Sequence, residues 1–364
     1  MTDVPYVNLP AQHRPLEEEL LEAVRGVLRH GAFILGPEVA ELESRLAQLL
    51  HVPHVVTVAS GTDALTMALR LRGIGPGHEV LVPSHSFLAT GQAVALVGAE
   101  PVFLDIEPAR MLMEPAHLHP SLCPRTRAVI PVHLGGHPCD MEAISTFASE
   151  HGLELIEDCA QAMGTRAYGR SVGDFGLGCF SLHPLKTLSA LGDAGFITVH
   201  REEDAERLRL MRNFGLVDRD HTAFVAGHSR LDTIQAAMLL VKLRYLDSYL
   251  EARRAHAAAY SSALEGAFRL VEVPDWAEPS HSTFVIRHPE RDRIVAAMGE
   301  RGFDVKIHYP VPIHMQAPYA QRREWHLPET DRAVGEIMSL PVTPELPASD
   351  RHRIIEALLE VARV

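Results

Sequence analysis

One lysine in this chain stands where an amine could be held away from water. Lys186 closes the run Phe180-Ser181-Leu182-His183-Pro184-Leu185-Lys186, just after the apolar stretch Gly178–Leu182. A glycine-containing return, Ser189-Ala190-Leu191-Gly192-Asp193-Ala194-Gly195, then leads into a second apolar stretch. A loop lysine is ordinarily solvated. Confined between apolar strands it loses hydration, its pKa falls, and its neutral amine becomes able to form a Schiff base. Three other segments also follow apolar runs. Glu157-Asp158-Cys159-Ala160-Gln161 places acids at the end of Leu153–Glu157. Ala59-Ser60-Gly61-Thr62-Asp63-Ala64-Leu65 opens a helix after Val55–Val58, and Ser84-His85-Ser86-Phe87 follows Glu79–Val82.

Each segment has a plain reading beside a chemical one. Ser, Thr and Asp are ordinary helix caps, and Phe87 could be a core aromatic. Yet helix N-terminal N–H groups with a Thr hydroxyl also suit a phosphate. A buried acid can keep a pyridine nitrogen protonated so that the ring accepts electrons from a carbanion. Gln161 could donate to a ring hydroxyl, Ser181 could complete the phosphate cup, and Phe87 could stack on a flat ring. Phosphate cup, stacker, nitrogen partner and Schiff-base lysine are what pyridoxal 5'-phosphate (PLP) requires.

These residues need one sheet edge to bring them together. Residues 15–30 and 37–50 read as amphipathic helices divided by the turn 31–37. Candidate strands are Val55–Val58, Glu79–Val82, Val102–Asp105, Ala128–Val132, Leu153–Glu157, Gly178–Leu182 and Gly195–Val199. Helical patterns at Asp63–Arg72, Phe87–Val97 and Asp140–His151 lie between several of them. That alternation predicts a mostly parallel sheet flanked by helices, which binds ligands at the carboxyl ends of its strands. One long helix is expected from about Leu231 to Leu264, with Leu231, Ile234, Met238, Val241, Tyr245 and Tyr249 on one face. Beyond it, the strand Ser282–Arg287, the helix Arg291–Arg301, a proline-rich loop around Tyr309–Pro318 and a last helix Asp350–Val361 form a smaller α+β unit. The expected division is 1–245 and 246–364.

Composition narrows the partners. The 364 residues carry a net charge of −13, which disfavours nucleic acid, whose phosphates need clustered Lys and Arg. No apolar stretch is long enough to span a membrane, and residues 1–10 lack a secretory pattern, so a cytoplasmic protein is expected. Cys123, Cys139, Cys159 and Cys179 are dispersed with no CxxC pair, which argues against a zinc or iron–sulfur site. There is no GxGxxG fingerprint for a dinucleotide.

Taken in order, the segments resemble the DegT/StrS family of PLP-dependent sugar aminotransferases, within fold type I. Beyond the segments above, the resemblance is carried by Gly31-Ala32-Phe33-Ile34-Leu35-Gly36-Pro37, Pro101-Val102-Phe103-Leu104-Asp105 and Pro131-Val132-His133-Leu134-Gly135-Gly136. Ser229-Arg230-Leu231-Asp232-Thr233-Ile234-Gln235-Ala236-Ala237 and Ile307-His308-Tyr309-Pro310 complete it. The resemblance implies that Lys186 holds PLP, that Asp158 partners the pyridine nitrogen and that Gln161 touches the ring hydroxyl. It implies a phosphate cup of Gly61, Thr62, Asp63 and Ser181, with Phe87 stacked on the ring. Homodimers with shared active sites are also implied, as is ping-pong transfer from glutamate to a nucleotide-linked ketosugar. The stretch His308–Gln316 resembles members acting on 3-keto sugars, so C3 is favoured over C4. Expected substrate contacts are Phe33, His183, His308, Tyr309 and His314.

Two positions depart from the family pattern. An Asn commonly precedes Ser-Arg-Leu-Asp and reaches the neighbouring subunit's phosphate; here His228 stands there, and imidazole can also donate to phosphate. Thr187 follows the lysine where Asn is frequent. Three rival readings compete with this one. A PLP-dependent sugar dehydratase of this fold would replace the lysine by His. A non-catalytic regulatory member would not need the intact Lys186, Asp158 and Gln161. A metal-dependent hydrolase using His133 and His137 lacks an accompanying acidic motif, so no metal is expected.

Overall fold

The computed structural model describes residues 3–363. Seven strands form the central sheet: β1 (His54–Val58), β2 (Glu79–Pro83), β3 (Glu100–Leu104), β4 (Thr126–Val129), β5 (Glu154–Asp158), β6 (Leu177–Ser181) and β7 (Gly195–Val199). Their order is β1-β7-β6-β5-β4-β2-β3. β7 is antiparallel to β1 and β6, and the remaining pairings are parallel. Six strands therefore end on one edge, with only β7 running against them. The expected mostly parallel sheet is present.

Side chains alternate across the sheet, as the pleat requires. Val80 and Val82 join Val56, Val58, Ile130 and Ile156 in a core covered by the helix Gly61–Leu71. Leu81 faces the other way, packing with Val129, Met141 and Ile144 of the helix Met141–Glu150. Near β1 that second face is covered by Leu42 and Leu46 of the helix Pro37–Leu50 and by Leu239 of the helix Thr233–Leu243. Phe180 and Phe196 are register partners on β6 and β7 and stack with centroids 4.4 Å apart, a contact worth about 1 kcal/mol beyond area burial.

A second core gathers Tyr260, Phe284, Ile286, Ile294, Met298, Met338, Leu340, Ile354 and Leu358. It is built on a three-stranded sheet of Arg269–Leu270, Phe284–Arg287 and Ile337–Leu340. Val4 belongs to this core, bridging to Phe303, so the segment around Val4 is fastened to the last third of the chain.

The single helix expected over 231–264 is two helices, Thr233–Leu243 and Leu246–Leu264. The first packs on the large sheet through Ala236 and Leu239, and the second runs from that core at Leu246 and Leu250 to the other at Ala257, Tyr260 and Leu264. Tyr245 marks the break; its hydroxyl donates to Glu19 at 2.6 Å, fixing the joint. Among the elements that carried no expectation are the helices Glu202–Met211 and Pro328–Glu336 and the strand Ile337–Leu340.

Candidate active site

The edge where six strands end opens into a cavity of about 430 Å³. Ser60, Gly61 and Thr62 reach it from the end of β1, Phe87 from β2, Asp158 and Gln161 from β5, and Ser181, His183 and Lys186 from β6.

Lys186 sits in a closed loop. Its N–H bonds to His183 O at 2.8 Å, and Ala190 N–H bonds to Leu182 O at 2.7 Å. Leu188, Ala190 and Ala194 anchor the loop in the core. The amine is desolvated, which lowers its pKa, and the charge of Asp158 opposes that shift only in part. The chain has three lysines, Lys186, Lys242 and Lys306. Lys306 also lines the cavity, but its ammonium is held 2.6 Å from Asp304.

Asp158 is the last residue of β5 and is buried. Thr90 Oγ1 donates to Oδ2 at 2.7 Å, and Ala160 N–H donates to Oδ1 at 3.1 Å. Burial raises the Asp158 pKa, while these donors and Lys186 oppose the rise. A buried carboxylate of this kind calls for a cationic partner. Glu157, one residue earlier, points to the opposite face. It accepts from the N–H groups of Gly173, Phe175 and Gly176 and pairs with His133 at 3.2 Å. Cys139 N–H donates to His133 Nδ1, so that ring keeps its proton on Nε2, toward Glu157. His137 lies elsewhere, against His281 with centroids 5.2 Å apart.

Ser60 caps the helix Gly61–Leu71, accepting from Asp63 N–H at 3.1 Å. The N–H groups of Gly61 and Thr62 have no acceptor among the described residues. A Cβ on Gly61 would stand 2.8 Å from the Ser181 Cβ, so only glycine lets β6 and this helix end close into a cradle. Asp63 stands behind the cradle rather than in the cavity lining. Its carboxylate accepts from Ser229 at 2.7 Å.

The remaining expected residues divide into two groups. Phe87 is 52% exposed and lies 5.4 Å from the Tyr309 ring. Gln161 donates to the Tyr309 hydroxyl at 2.9 Å and accepts from Gly135 N–H at 2.7 Å, which leaves one amide hydrogen free. His308 lies 3.0 Å from Ser339; burial first, then the charges of Lys186 and Lys306, lower its pKa to about 4. His314, Phe33 and His228 do not line the cavity. His314 is buried behind the wall, 2.7 Å from Ser84 Oγ. Phe33 and His228 are exposed, His228 packing edge-on against Phe214. Sequence reasoning did not single out Thr90, Tyr6, Arg253, Lys306 or Thr343. Thr90 had no signal beyond its helical spacing from Ser86, and the others lie outside the strand-end segments, Tyr6 before them and Arg253, Lys306 and Thr343 after them.

The donor set suits PLP: a desolvated lysine, a buried carboxylate across the same space, and free N–H groups at a glycine cradle. Comparison with known proteins agrees. The model of the DegT/DnrJ/EryC1/StrS aminotransferase family matches residues 15–359. The chain is 40% identical to the dTDP-3-amino-3,4,6-trideoxy-alpha-D-glucose transaminase of Streptomyces venezuelae, over 99% of this chain and 96% of that one. It is also 40% identical to the UDP-N-acetyl-3-dehydro-alpha-D-glucosamine 3-aminotransferase of Acidithiobacillus ferrooxidans, over 97% of this chain and 96% of the relative. The crystal structure of S. venezuelae DesV in complex with a ketimine intermediate superposes with a TM-score of 0.97 at 38% identity, covering 100% of both chains. That likeness places the fold among type I aminotransferases. The chain belongs to the DegT/DnrJ/EryC1/StrS aminotransferase family and is a PLP-dependent aminotransferase.

Proposed function

We propose that this aminotransferase moves the amino group of glutamate to a nucleotide-linked ketosugar, at C3 in preference to C4, by ping-pong transamination. The observation that carries this is the desolvated Lys186 facing the buried Asp158 in one cavity. The sugar acceptor and the C3 position are supported by the names of both transaminase relatives.

When bound, PLP supplies an electron sink for the pair left on the donor Cα. This chain's residues do the rest. The Lys186 amine takes the Cα proton as general base and returns it as general acid; desolvation, which lowers its pKa, favours the neutral base. Asp158, held by Thr90 and Ala160, would pair with the ring nitrogen. The free amide hydrogen of Gln161 would reach the ring hydroxyl, and Phe87 would cover a ring face. Gly61 and Thr62 N–H groups with the Ser181 hydroxyl would hold the phosphate, Asp63 bracing the cradle from behind. His183, His308 and Tyr309 would meet substrate, and His314 would steady that wall through Ser84.

We place the enzyme in the cytoplasm as a homodimer with shared sites. Phe33, Ile34, Leu35 and Phe214 are exposed apolar side chains, and Ile34 bridges to Asp232, close in sequence to His228. Association over this surface would cover them and carry His228 toward a partner's phosphate. The test is incubation of the PLP-loaded protein with glutamate and nucleotide-linked 3- and 4-ketosugars, following 2-oxoglutarate. Turnover greatest with a 3-ketosugar is expected. Glutamate deamination with no ketosugar aminated would contradict the acceptor.

A further inference from the structure

Four arginines are buried among the described residues: Arg212, Arg253, Arg287 and Arg291. Arg212 pairs with Glu43, Arg287 with Glu336 and Arg291 with Asp292. Arg253, 2% exposed, has no carboxylate within 4.0 Å among the described residues. It is also the one of the four that lines the active-site cavity. Its Nη1 makes only long bonds, at 3.3 and 3.2 Å, to the carbonyl oxygens of His281 and Ser282. Its Nε is buried with no partner. The carboxylate that acts on it electrostatically, Glu345, is beyond ion-pair distance and accepts from Asn8 N–H. A buried guanidinium without an anion is costly. Its placement in the cavity wall says where the anion comes from.

We propose that Arg253 binds a carboxylate of the amino donor and of the 2-oxo acid it becomes. This rests on the transamination reading above and extends it to the donor subsite. A guanidinium offers a planar fork that matches a carboxylate with two parallel hydrogen bonds. The rival anion is the diphosphate of a nucleotide-linked sugar. A cavity of about 430 Å³ that also holds the cofactor leaves little volume for a nucleotide beside it, which disfavours the diphosphate as the partner of this buried cation. The donor is the substrate small enough to reach a fully buried cation. The other cavity cation outside the Lys186 loop, Lys306, is already paired with Asp304.

The test uses PLP-loaded enzyme and glutarate, a dicarboxylate with no amine to transfer. Arg253→Gln should weaken glutarate binding about 10- to 100-fold, the loss of a charge-assisted pair. It should raise the KM for glutamate similarly while moving the ketosugar KM by less than about threefold. Arg253→Lys, which keeps the charge and loses the fork, should recover part of the loss; it also decides the matter if the Gln variant does not fold. Unchanged glutarate affinity in folded Arg253→Gln overturns the proposal. So does a loss confined to nucleoside diphosphate binding. Wild-type enzyme that binds glutarate but aminates no ketosugar would remove the acceptor reading and leave Arg253 standing. Wild-type enzyme that deaminates glutamate without binding glutarate would do the reverse.

Discussion

Thr90 donates its hydroxyl to Asp158 Oδ2 at 2.7 Å, and Ser86 Oγ lies 2.8 Å from that same hydroxyl. Because the Thr90 hydrogen is spent on Asp158, Ser86 must donate to Thr90. A short relay thus runs from the β2 loop to the acid at the end of β5. It holds the carboxylate in one orientation and favours its ionised form.

Removing the relay should be felt at the acid. Thr90→Val keeps the shape and deletes the donor. We expect a stability loss of about 1 kcal/mol and a fall in kcat/KM of about tenfold. The pH titration of the bound cofactor's absorbance should shift as well, because Asp158 loses a bond that lowers its pKa. Unchanged absorbance titration would show that Thr90 is structural only.

The cradle between β6 and the first helix turn depends on the missing Cβ of Gly61. In Gly61→Ala the new Cβ meets the Ser181 Cβ at 2.8 Å, and overpacking of this kind costs about 1–3 kcal/mol. PLP affinity should drop at least about tenfold, measured by titration of the apoenzyme. Equal affinity would mean that the phosphate sits elsewhere.

Much of this cradle was legible because strand ends announce themselves. An apolar run followed by Ser60-Gly61-Thr62 or by Glu157-Asp158 leaves a polar residue at a sheet edge, and a parallel sheet collects such edges. What the pattern hides is the support. Thr90 lies inside the apolar helix Leu88–Leu96 and looks like a neutral filler. Arg253 sits in a charged, alanine-rich helix and reads as solvated, yet it is buried against the carbonyls of His281 and Ser282, residues distant in sequence. Asp158 was singled out over the adjacent Glu157 by the family resemblance, and strand alternation gives the physical reason, sending Asp158 into the cavity and Glu157 to His133. The break at Tyr245 was equally hidden, since helical periodicity continues across it.

Lys242 gives the protein a pH dependence of its own. It is 0% exposed, bonded to Ser189 Oγ at 2.6 Å, and burial lowers its pKa from 10.5 to about 8. Between those values the unfolded chain binds more protons than the folded one, so stability rises with pH across that window. The rise attributable to this group is about 3 kcal/mol. Denaturant unfolding of apoenzyme from pH 7.5 to 10 should show a smaller rise in Lys242→Met than in the wild type. Parallel curves would show that Lys242 keeps an ordinary pKa.

His228 is exposed beside Phe214 and is absent from its own chain's cavity lining. If it serves a partner's phosphate, His228→Ala should retain PLP about tenfold less tightly with no loss of monomer stability. Dilution below the dimer's dissociation constant should abolish the difference between variant and wild type. PLP affinity equal to wild type at all concentrations would remove His228 from the site.

The central claim is that Lys186 carries the cofactor, and the scarcity of lysine makes it directly testable. Only Lys186, Lys242 and Lys306 are present, and each falls in a separable peptide. Borohydride reduction of the yellow holoenzyme followed by peptide mapping should place the pyridoxyl mass on Lys186 alone. The mass on Lys306, the other lysine in the cavity, or on no lysine at all, would contradict the account.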